Sequence, residues 1–276
     1  MTRNITKYLI MTFLISWSCF GLVILLQVLG ICKYPDLISG IIALAGSLGP
    51  TIAAILQFNG KINIKSIKKF WFNHKKKTIQ YLLLFCALVL IQYIFLSNYD
   101  KSFSPLLALP LYIYAISFGG GFEEFGWRGV LQPKLEEKIS FPLATIITGI
   151  IWAMWHLPLF FIQDRGPFIG IFSFALSSIY MSFILACIYK KTNSVFYCSL
   201  FHGLINTLST IFIFKDSSTI NYYYIITSII ILIVSITLYY KDSISIRETL
   251  TKKWLLNNLN LILLFYKMWY IVFEKR

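Results

Sequence analysis

Long apolar runs separated by short polar segments follow one another along most of the chain. About 20 apolar residues are enough to cross a bilayer as a helix. Eight runs are close to this length: 8–30, 37–58, 79–98, 105–127, 141–162, 168–189, 192–213 and 221–240. The gaps between them leave no room for a soluble domain. The pattern therefore predicts an all-α fold, a polytopic membrane helical bundle of about eight transmembrane helices.

The C-terminal tail, residues 254–276, departs from this pattern. Its apolar residues are interrupted by polar ones, and it carries aromatic residues of the kind found at membrane interfaces. The polar residues are Asn257, Asn258, Asn260 and Lys267, and the aromatic residues are Trp254, Trp269 and Tyr270. The mixture predicts a helix that lies at the membrane interface. A ninth span is the alternative.

The composition supports a membrane protein. Hydrophobic residues make up 58% of the 276 residues and charged residues only 13%, whereas soluble domains are about half apolar and about a quarter charged. So much apolar surface needs lipid as a second solvent. The five cysteines are an odd number and four lie in apolar runs, which favours buried apolar residues over a disulfide framework or a cysteine metal site.

The net charge of +14 does not indicate nucleic-acid binding, because no basic helix or aromatic platform of the required kind is present. Instead, lysines and arginines cluster between the apolar runs. Segment 59–78 holds seven of them: Lys61, Lys65, Lys68, Lys69, Lys75, Lys76 and Lys77. By the positive-inside rule this segment is cytoplasmic. His74, in the same loop, is assigned no role.

Alternation of the spans fixes the predicted topology. It places both termini in the cytoplasm, together with Arg3, Lys7, Lys134, Lys138, Lys190, Lys191, Lys241 and Arg247. The loops on the other side hold one basic residue each: Lys33, Lys101, Arg165 and Lys215. The prediction is a multi-pass protein of the cell membrane.

Ionisable residues inside apolar spans are costly and indicate function. The first group lies in the sequence Gly119-Gly120-Gly121-Phe122-Glu123-Glu124-Phe125-Gly126-Trp127-Arg128. Glu124 and Arg128 are four residues apart, so on a helix they share a face and can pair. Glu123 points about 100° away and remains available as a general base. The alternative is a charged turn at the membrane interface.

Two histidines form the second group. His156 lies in the fifth apolar run, and His202 lies four residues before Asn206 in the seventh. The i, i+4 spacing presents His202 and Asn206 on one helical face, where they could stabilise an oxyanion. His202 could also bind a metal. The alternative for either histidine is a hydrogen bond that joins neighbouring helices.

The depths of these residues in the bundle agree. If 108–138 is one helix and the chain turns near 139–140, Glu123 and His156 each lie about 16 residues from the turn, ~24 Å along their helices. His202 lies about 11 residues beyond Lys191, or ~16 Å. If 129–139 projects roughly 8 Å into the cytoplasm, all three residues reach a similar depth. We therefore expect them to meet.

The glycine run Gly119–Gly121 precedes these carboxylates. It could open the fourth helix locally and admit water or a substrate strand near Glu123. The alternative is close helix packing by small residues, which is common in membranes.

Together the motifs resemble the CPBP family of CAAX-processing proteases and bacteriocin-processing proteins. They are Glu123-Glu124-x-x-x-Arg128, an aromatic residue four positions before His156, and His202-x-x-x-Asn206. The resemblance covers residues 105–210. One position departs from the family pattern, because Trp152 stands where phenylalanine is usual. We expect this change to alter packing more than chemistry.

The resemblance implies an intramembrane endopeptidase. In it Glu123 activates water, His156 helps to orient that water, and His202 and Asn206 stabilise the oxyanion. Glu124 and Arg128 are supporting residues. The chain is then divided into an N-terminal three-span region (1–104), the catalytic core (105–213), and the last span with the tail (214–276).

A metal is a second possibility, because the family is commonly described as metal-dependent. Glu123, His156 and His202 could supply three ligands to a divalent ion such as zinc and leave an open position. The sequence has no H-E-x-x-H motif, and glutamate-activated water is the preferred interpretation.

The expected partners are membrane lipid and a peptide or membrane-protein substrate, with no nucleic acid. CAAX-type processing, maturation of a bacteriocin or peptide pheromone, and self-immunity are the roles that the resemblance implies. The alternative is a non-catalytic immunity or scaffold protein of the same fold.

Overall fold

The computed structural model describes residues 4–57, 64–75, 78–163, 168–215 and 218–247. The tail 254–276, for which an interfacial helix or a ninth span is predicted, lies outside these residues. Residues up to Ser235 form one compact unit, and the statements below concern that unit.

Five helices and a short strand make up the first part of the chain. They are α1 (Ile5–Val28), α2 (Leu37–Ser47), α3 (Gly49–Ile55), α4 (Ile64–Phe72), α5 (Ile79–Leu96) and β1 (Ser97–Tyr99). Helices α2 and α3 together form the second predicted span, which is bent by 40°. Pro50 lies in the first turn of α3, where a missing N–H is tolerated, whereas inside a continuous helix it would interrupt the hydrogen bonds.

The segment that carries the two glutamates is not the single helix 108–138 assumed above. A 3₁₀ turn (Pro105–Leu107) leads into α6 (Ala108–Ser117), and a second 3₁₀ turn (Gly121–Glu123) precedes α7 (Glu124–Gly126). A π-helical turn (Trp127–Leu131) then joins α8 (Gln132–Glu136). The helix is therefore interrupted at the glycine run, as the opening hypothesis requires. Glycine breaks helices because it pays a high conformational entropy.

The second half contains α9 (Phe141–Trp155), α10 (Leu157–Ile162), α11 (Phe168–Thr192), α12 (Val195–Ile211), β2 (Phe212–Phe214) and α13 (Ser218–Arg247). The fifth predicted span breaks at His156, between α9 and α10, because Pro158 cannot donate to a carbonyl four residues earlier. Ser194 caps α12 by accepting a hydrogen bond from the Tyr197 amide at 3.2 Å. The antiparallel strands β1 and β2 pair Asn98 with Ile213.

The predicted fold class, a polytopic helical membrane bundle, is confirmed. Within the described ranges, six helical segments are long and apolar enough to span a membrane, and the bent pair α2–α3 makes seven. The remaining predicted span, the seventh along the chain, corresponds to α12, which is apolar but has only 17 residues. Large apolar side chains remain exposed on the outer faces, for example Leu14, Ile94 and Leu109, each more than 60% exposed. This is expected where lipid replaces water as the solvent.

The helices pack around the glutamate segment. Helix α9 packs against α11, α12 against α6, and α1 against α2 and α3. The large side chains of Trp127, Trp155 and Phe201 are completely buried between them. The two glutamates thus lie in the interior of the bundle.

Three of the predicted cytoplasmic loops lie together at one end of this bundle. The Lys75 amide donates to the Thr192 carbonyl at 2.7 Å, and Lys190 Nζ lies 3.9 Å from Glu136 Oε2. At the other end the Lys215 amide donates to the Leu96 carbonyl beside the β1–β2 pair. This separation agrees with the alternating topology, while the identity of the cytoplasmic side stays a prediction.

Candidate active site

One cavity of about 790 Å³ brings together the four residues predicted to carry the chemistry. Glu123, His156, His202 and Asn206 all line it. They come from the 3₁₀ turn before α7, the α9–α10 junction and α12. Apolar side chains of α1, α2, α6, α10 and α11 also line it, for example Phe20, Leu44, Leu111, Leu159 and Phe174, together with polar side chains such as Gln163 and Ser178. The predicted meeting of the three motifs is therefore observed.

Glu123 is buried, and two indole groups hold one of its oxygens. Its Oε2 accepts hydrogen bonds from Trp152 Nε1 at 2.8 Å and from Trp127 Nε1 at 3.3 Å. The described residues give Oε1 no hydrogen bond, and the carboxyl group lines the cavity. One oxygen is thus fixed in place, while the other can receive a proton or bind water.

Trp152 lies against four polar residues of the site. Besides its bond to Glu123, its ring lies 5.2 Å from the Arg128 guanidinium carbon and 5.1 Å from the His202 ring. It also lies 5.6 Å from the His156 ring. Phenylalanine, the usual residue at this position, has no N–H to donate, so tryptophan adds a hydrogen bond to Glu123. The expectation that this change alters packing more than chemistry stays a prediction.

The predicted pairing of Glu124 with Arg128 is confirmed. Arg128 Nη1 lies 3.1 Å from Glu124 Oε2, and both side chains are fully buried. Arg128 Nη2 donates to Ser182 Oγ at 2.9 Å. His202 Nδ1 lies 2.8 Å from Glu124 Oε1, so Glu124 joins Arg128 to the histidine of α12. The sequence did not indicate this link.

His156 occupies the junction of α9 and α10. Its Nδ1 lies 2.8 Å from the Trp152 carbonyl oxygen. Because a carbonyl can only accept, Nδ1 carries a hydrogen, and in the neutral ring Nε2 is then the acceptor. The backbone bond thereby fixes both the orientation and the tautomer of the ring.

His202 and Asn206 approach the backbone of the glycine run. Asn206 Nδ2 donates to the Gly119 carbonyl. A Cβ atom placed on Gly120 would lie 2.6 Å from His202 Nε2 and 2.8 Å from Asn206 Nδ2. Gly120 also has a φ of 118°, which residues with a side chain rarely adopt. Both observations require glycine at this position.

Substitution of Gly120 by alanine is therefore expected to destabilise the protein. Backbone strain alone costs about 1–3 kcal/mol, and the new methyl group would displace His202 and Asn206. The free energy of unfolding, measured by titrating mixed micelles with sodium dodecyl sulfate, should fall accordingly. Gly21→Ala is the matched control, because a Cβ there meets no atom within 4 Å. Equal stability of the two variants would contradict the prediction.

The described residues do not fit the predicted metal site. No group of three or more His, Cys, Asp or Glu side chains within them could hold a metal ion. The geometry gives no support to Glu123, His156 and His202 as a ligand set.

Three groups that bond the site residues were not predicted from the sequence: Trp127, Ser182 and the indole N–H of Trp152. Trp127 follows Glu123 by four residues, so the helical spacing that joined Glu124 to Arg128 could have found it. Trp152 was visible as a departure from the family motif. Ser182 gave no signal, because its contact with Arg128 joins residues 54 positions apart.

Comparison with known proteins identifies the segment that carries the site. Residues 104–208 match the model of the family described as Type II CAAX prenyl endopeptidase Rce1-like. CAAX prenyl protease 2 of Methanococcus maripaludis is 33% identical over 119 residues, which cover 40% of this chain and 41% of the relative. The match thus spans less than half of that relative's length. The predicted resemblance to the CPBP family is confirmed over the segment that contains Glu123, His156, His202 and Asn206.

Proposed function

We propose that this chain, whose residues 104–208 match the Rce1-like CAAX endopeptidase family, is an intramembrane endopeptidase that hydrolyses a peptide bond with water activated by Glu123. One observation carries the proposal. A buried carboxylate, two histidines and an amide from three separate parts of the chain line one cavity inside an apolar bundle. Ionisable groups are not retained in such a place without a function or a tight pairing.

The positions of the side chains support a direct attack by water. Glu123 Oε1 removes a proton from a water molecule that His156 Nε2 helps to orient, and the oxygen of that water adds to the carbonyl carbon of the peptide. His202 and Asn206 stabilise the resulting oxyanion. The proton held by Glu123 then passes to the amide nitrogen, the C–N bond breaks, and a carboxylate and an amine leave.

Charge balance explains why Glu124 lies behind His202. An oxyanion needs a donor, and His202 can donate from Nε2 when its ring is protonated on both nitrogens. Glu123 and Glu124 contribute two negative charges and Arg128 one positive charge, so a protonated His202 would bring the buried set to neutrality. Glu124 bridges Arg128 and His202, with oxygens 3.1 Å from Arg128 Nη1 and 2.8 Å from His202 Nδ1.

The substrate class follows from where the site lies. A cavity within a membrane bundle, with apolar side chains from five helices in its walls, fits a peptide that is itself anchored in lipid. The name of the archaeal relative, CAAX prenyl protease 2, favours a lipid-modified C-terminal peptide. Processing of a bacteriocin or pheromone precursor, and self-immunity, are further roles proposed by family analogy alone. We place the lysine-rich end of the bundle in the cytoplasm and the protein in the cell membrane.

Cleavage can be tested with the purified, reconstituted protein. A farnesylated peptide with a C-terminal CAAX sequence and the same peptide without the lipid are incubated with it in heavy-oxygen water. We expect cleavage of the farnesylated peptide, with one heavy oxygen in the new carboxyl group of the product. If neither this peptide nor other membrane-anchored peptides are cleaved, the proposal is overturned.

Trp152→Phe separates the role of the indole N–H from that of the ring. A hydrogen bond to a charged group contributes about 1.5–3 kcal/mol, and we expect kcat to fall about tenfold or more while KM changes little. Trp17→Phe is the matched control, since Trp17 Nε1 donates to the Trp155 carbonyl and Trp17 does not line the cavity. A rise in KM with an unchanged kcat would show that Trp152 acts on binding instead.

A further inference from the structure

Helix α4 lies outside the proposed chemistry but packs directly on the segment that holds Glu123 and Glu124. Its side chains alternate between two faces at helical spacing. Ser66, Ile67, Phe70 and Trp71 are half-buried on the inner face, and Lys65, Lys68, Lys69 and Phe72 are exposed on the outer one. We name the outer set the lysine face.

The inner face of α4 contacts the glutamate segment through aromatic rings. The Phe70 ring lies 5.6 Å from the Phe125 ring, and the Trp71 ring lies 5.1 Å from Phe122 and 5.5 Å from Phe125. Phe122 immediately precedes Glu123, and Phe125 immediately follows Glu124. A Cβ on Gly129 would lie 2.3 Å from Phe70 Cζ, so glycine at that position lets the ring of α4 reach the helix backbone.

A hydrogen-bonded chain adds a second connection. Trp71 Nε1 donates to Ser199 Oγ at 3.4 Å, and Ser199 Oγ donates to the Gly121 carbonyl at 2.6 Å. Gly121 begins the 3₁₀ turn that ends at Glu123. The position of α4 is thus coupled to the backbone on which the proposed base is mounted.

The lysine face is strongly positive, and the described residues place no carboxylate in an ion pair with it. No ion pair joins Lys65, Lys68 or Lys69 to a described acidic residue. The sequence itself contains no Asp or Glu between Asp36 and Asp100. Exposed apolar side chains lie at the two ends of the helix, with Ile64 72% and Phe72 46% exposed. Lysines beside exposed apolar groups are the pattern of a helix at the headgroup level of a membrane.

We propose that the lysine face binds anionic lipid headgroups and that this binding holds α4 against the glutamate segment, so that anionic lipid raises the activity. Charge complementarity favours this occupant, because juxtamembrane lysines are attracted to anionic leaflets. The exposed Ile64 and Phe72 suit the acyl boundary of the same lipids. The regulatory half of the proposal rests on the proposed function, whereas lipid binding does not.

Lipid binding is tested first, without any assay of activity. The full-length chain is reconstituted in phosphatidylcholine, and its association with spin-labelled phosphatidylglycerol and spin-labelled phosphatidylcholine is compared. We expect a preference for phosphatidylglycerol of at least about fivefold, the contribution of one lysine near an anionic surface. The variant Lys65→Gln/Lys68→Gln/Lys69→Gln should lose this preference.

The matched control removes the same charge from the opposite end of the bundle, by Lys33→Gln/Lys101→Gln/Lys215→Gln. It should keep the preference of the wild type. If both triple variants lose it equally, the effect comes from net charge, and a specific lysine face is overturned. If the wild type itself shows no preference, the lipid site is overturned as well.

The coupling between lipid binding and activity is tested by the rate of peptide cleavage in vesicles with and without phosphatidylglycerol. We expect the wild type to be stimulated severalfold and the Lys65/Lys68/Lys69 variant not to be. Trp71→Phe, which keeps the aromatic ring and removes the bond to Ser199, should keep the lipid preference and lose part of the stimulation. Stimulation that is equal in all three proteins would overturn the coupling.

Two further outcomes are distinguishable. If the Lys65/Lys68/Lys69 variant shows the same rise in KM in neutral and anionic vesicles, the lysines act on substrate binding and the regulatory half of the proposal is overturned. If no protein cleaves the peptide but the lipid preference follows the lysine face, the proposed function fails while the lipid site stands.

Discussion

Glu123→Gln is expected to lower kcat by about 10³-fold, the middle of the range for loss of a general acid–base group. The amide keeps the size of the side chain, and its oxygen can still accept from the indole N–H of Trp152, which lies 2.8 Å from the native Oε2. It cannot take a proton from water. Cleavage of the farnesylated peptide by reconstituted protein measures the effect, and the KM should change little.

Glu137→Gln is the matched control, because it makes the same substitution at an exposed glutamate beyond the cavity. It should retain the wild-type rate. The non-catalytic alternative, an immunity or scaffold protein, leads to the opposite expectation for Glu123→Gln in the living cell. A Glu123→Gln variant that is folded and retains full biological activity would rule out the protease interpretation.

Arg128→Met is expected to have the largest effect on stability. It removes the cation from a completely buried ion pair and leaves Glu124 charged in an apolar interior, a change that costs about 3–5 kcal/mol. It also removes the donor to Ser182, so α11 loses its polar link to the glutamate segment. The free energy of unfolding in detergent titrations should fall by that amount, and activity should fall with it because His202 depends on Glu124.

The ion pair of Lys134 and Glu137 near the surface provides the comparison with the buried pair. The two residues are three positions apart, and Lys134 Nζ lies 2.6 Å from Glu137 Oε1. Lys134→Met should cost at most about 1 kcal/mol, as surface pairs do. The double variant Arg128→Met/Glu124→Gln should be more stable than Arg128→Met alone, because it leaves no unpaired buried charge. If the double variant is less stable than the single one, the ion pair does not dominate the stability of this region.

The membrane class, the positions of most spans and the identity of the polar site residues were predictable from the sequence. Each of these depends on a local property. A span is recognised by its own run of apolar residues, and Glu124 pairs with Arg128 because both lie on one turn of one helix. Glu123, His156, His202 and Asn206 stand out because ionisable or amide groups are rare inside apolar runs. Their convergence was also predicted, from the rise per residue of a helix, although the assumption of one unbroken helix over 108–138 was wrong.

The tertiary structure decided how these residues are held. The indole N–H of Trp152 reaches Glu123 across 29 residues, His202 reaches Glu124 across 78, and Ser182 reaches Arg128 across 54. Such contacts depend on the rotation and crossing of separate helices, which apolar periodicity does not specify when a helix is hydrophobic on all sides.

The breaks in the helices also depend on tertiary packing. The interruption of the fourth span at Gly119–Gly121 and of the fifth at His156 was only partly predictable. Glycine and proline permit a helix to end, but packing determines whether it does. At Gly120 the reason is the approach of His202 and Asn206 to the backbone, a contact that exists only when α12 lies beside α6. The sequence by itself therefore determined which polar groups meet in the cavity. The packing of distant helices determined their hydrogen-bond partners, because those partners come from other parts of the chain.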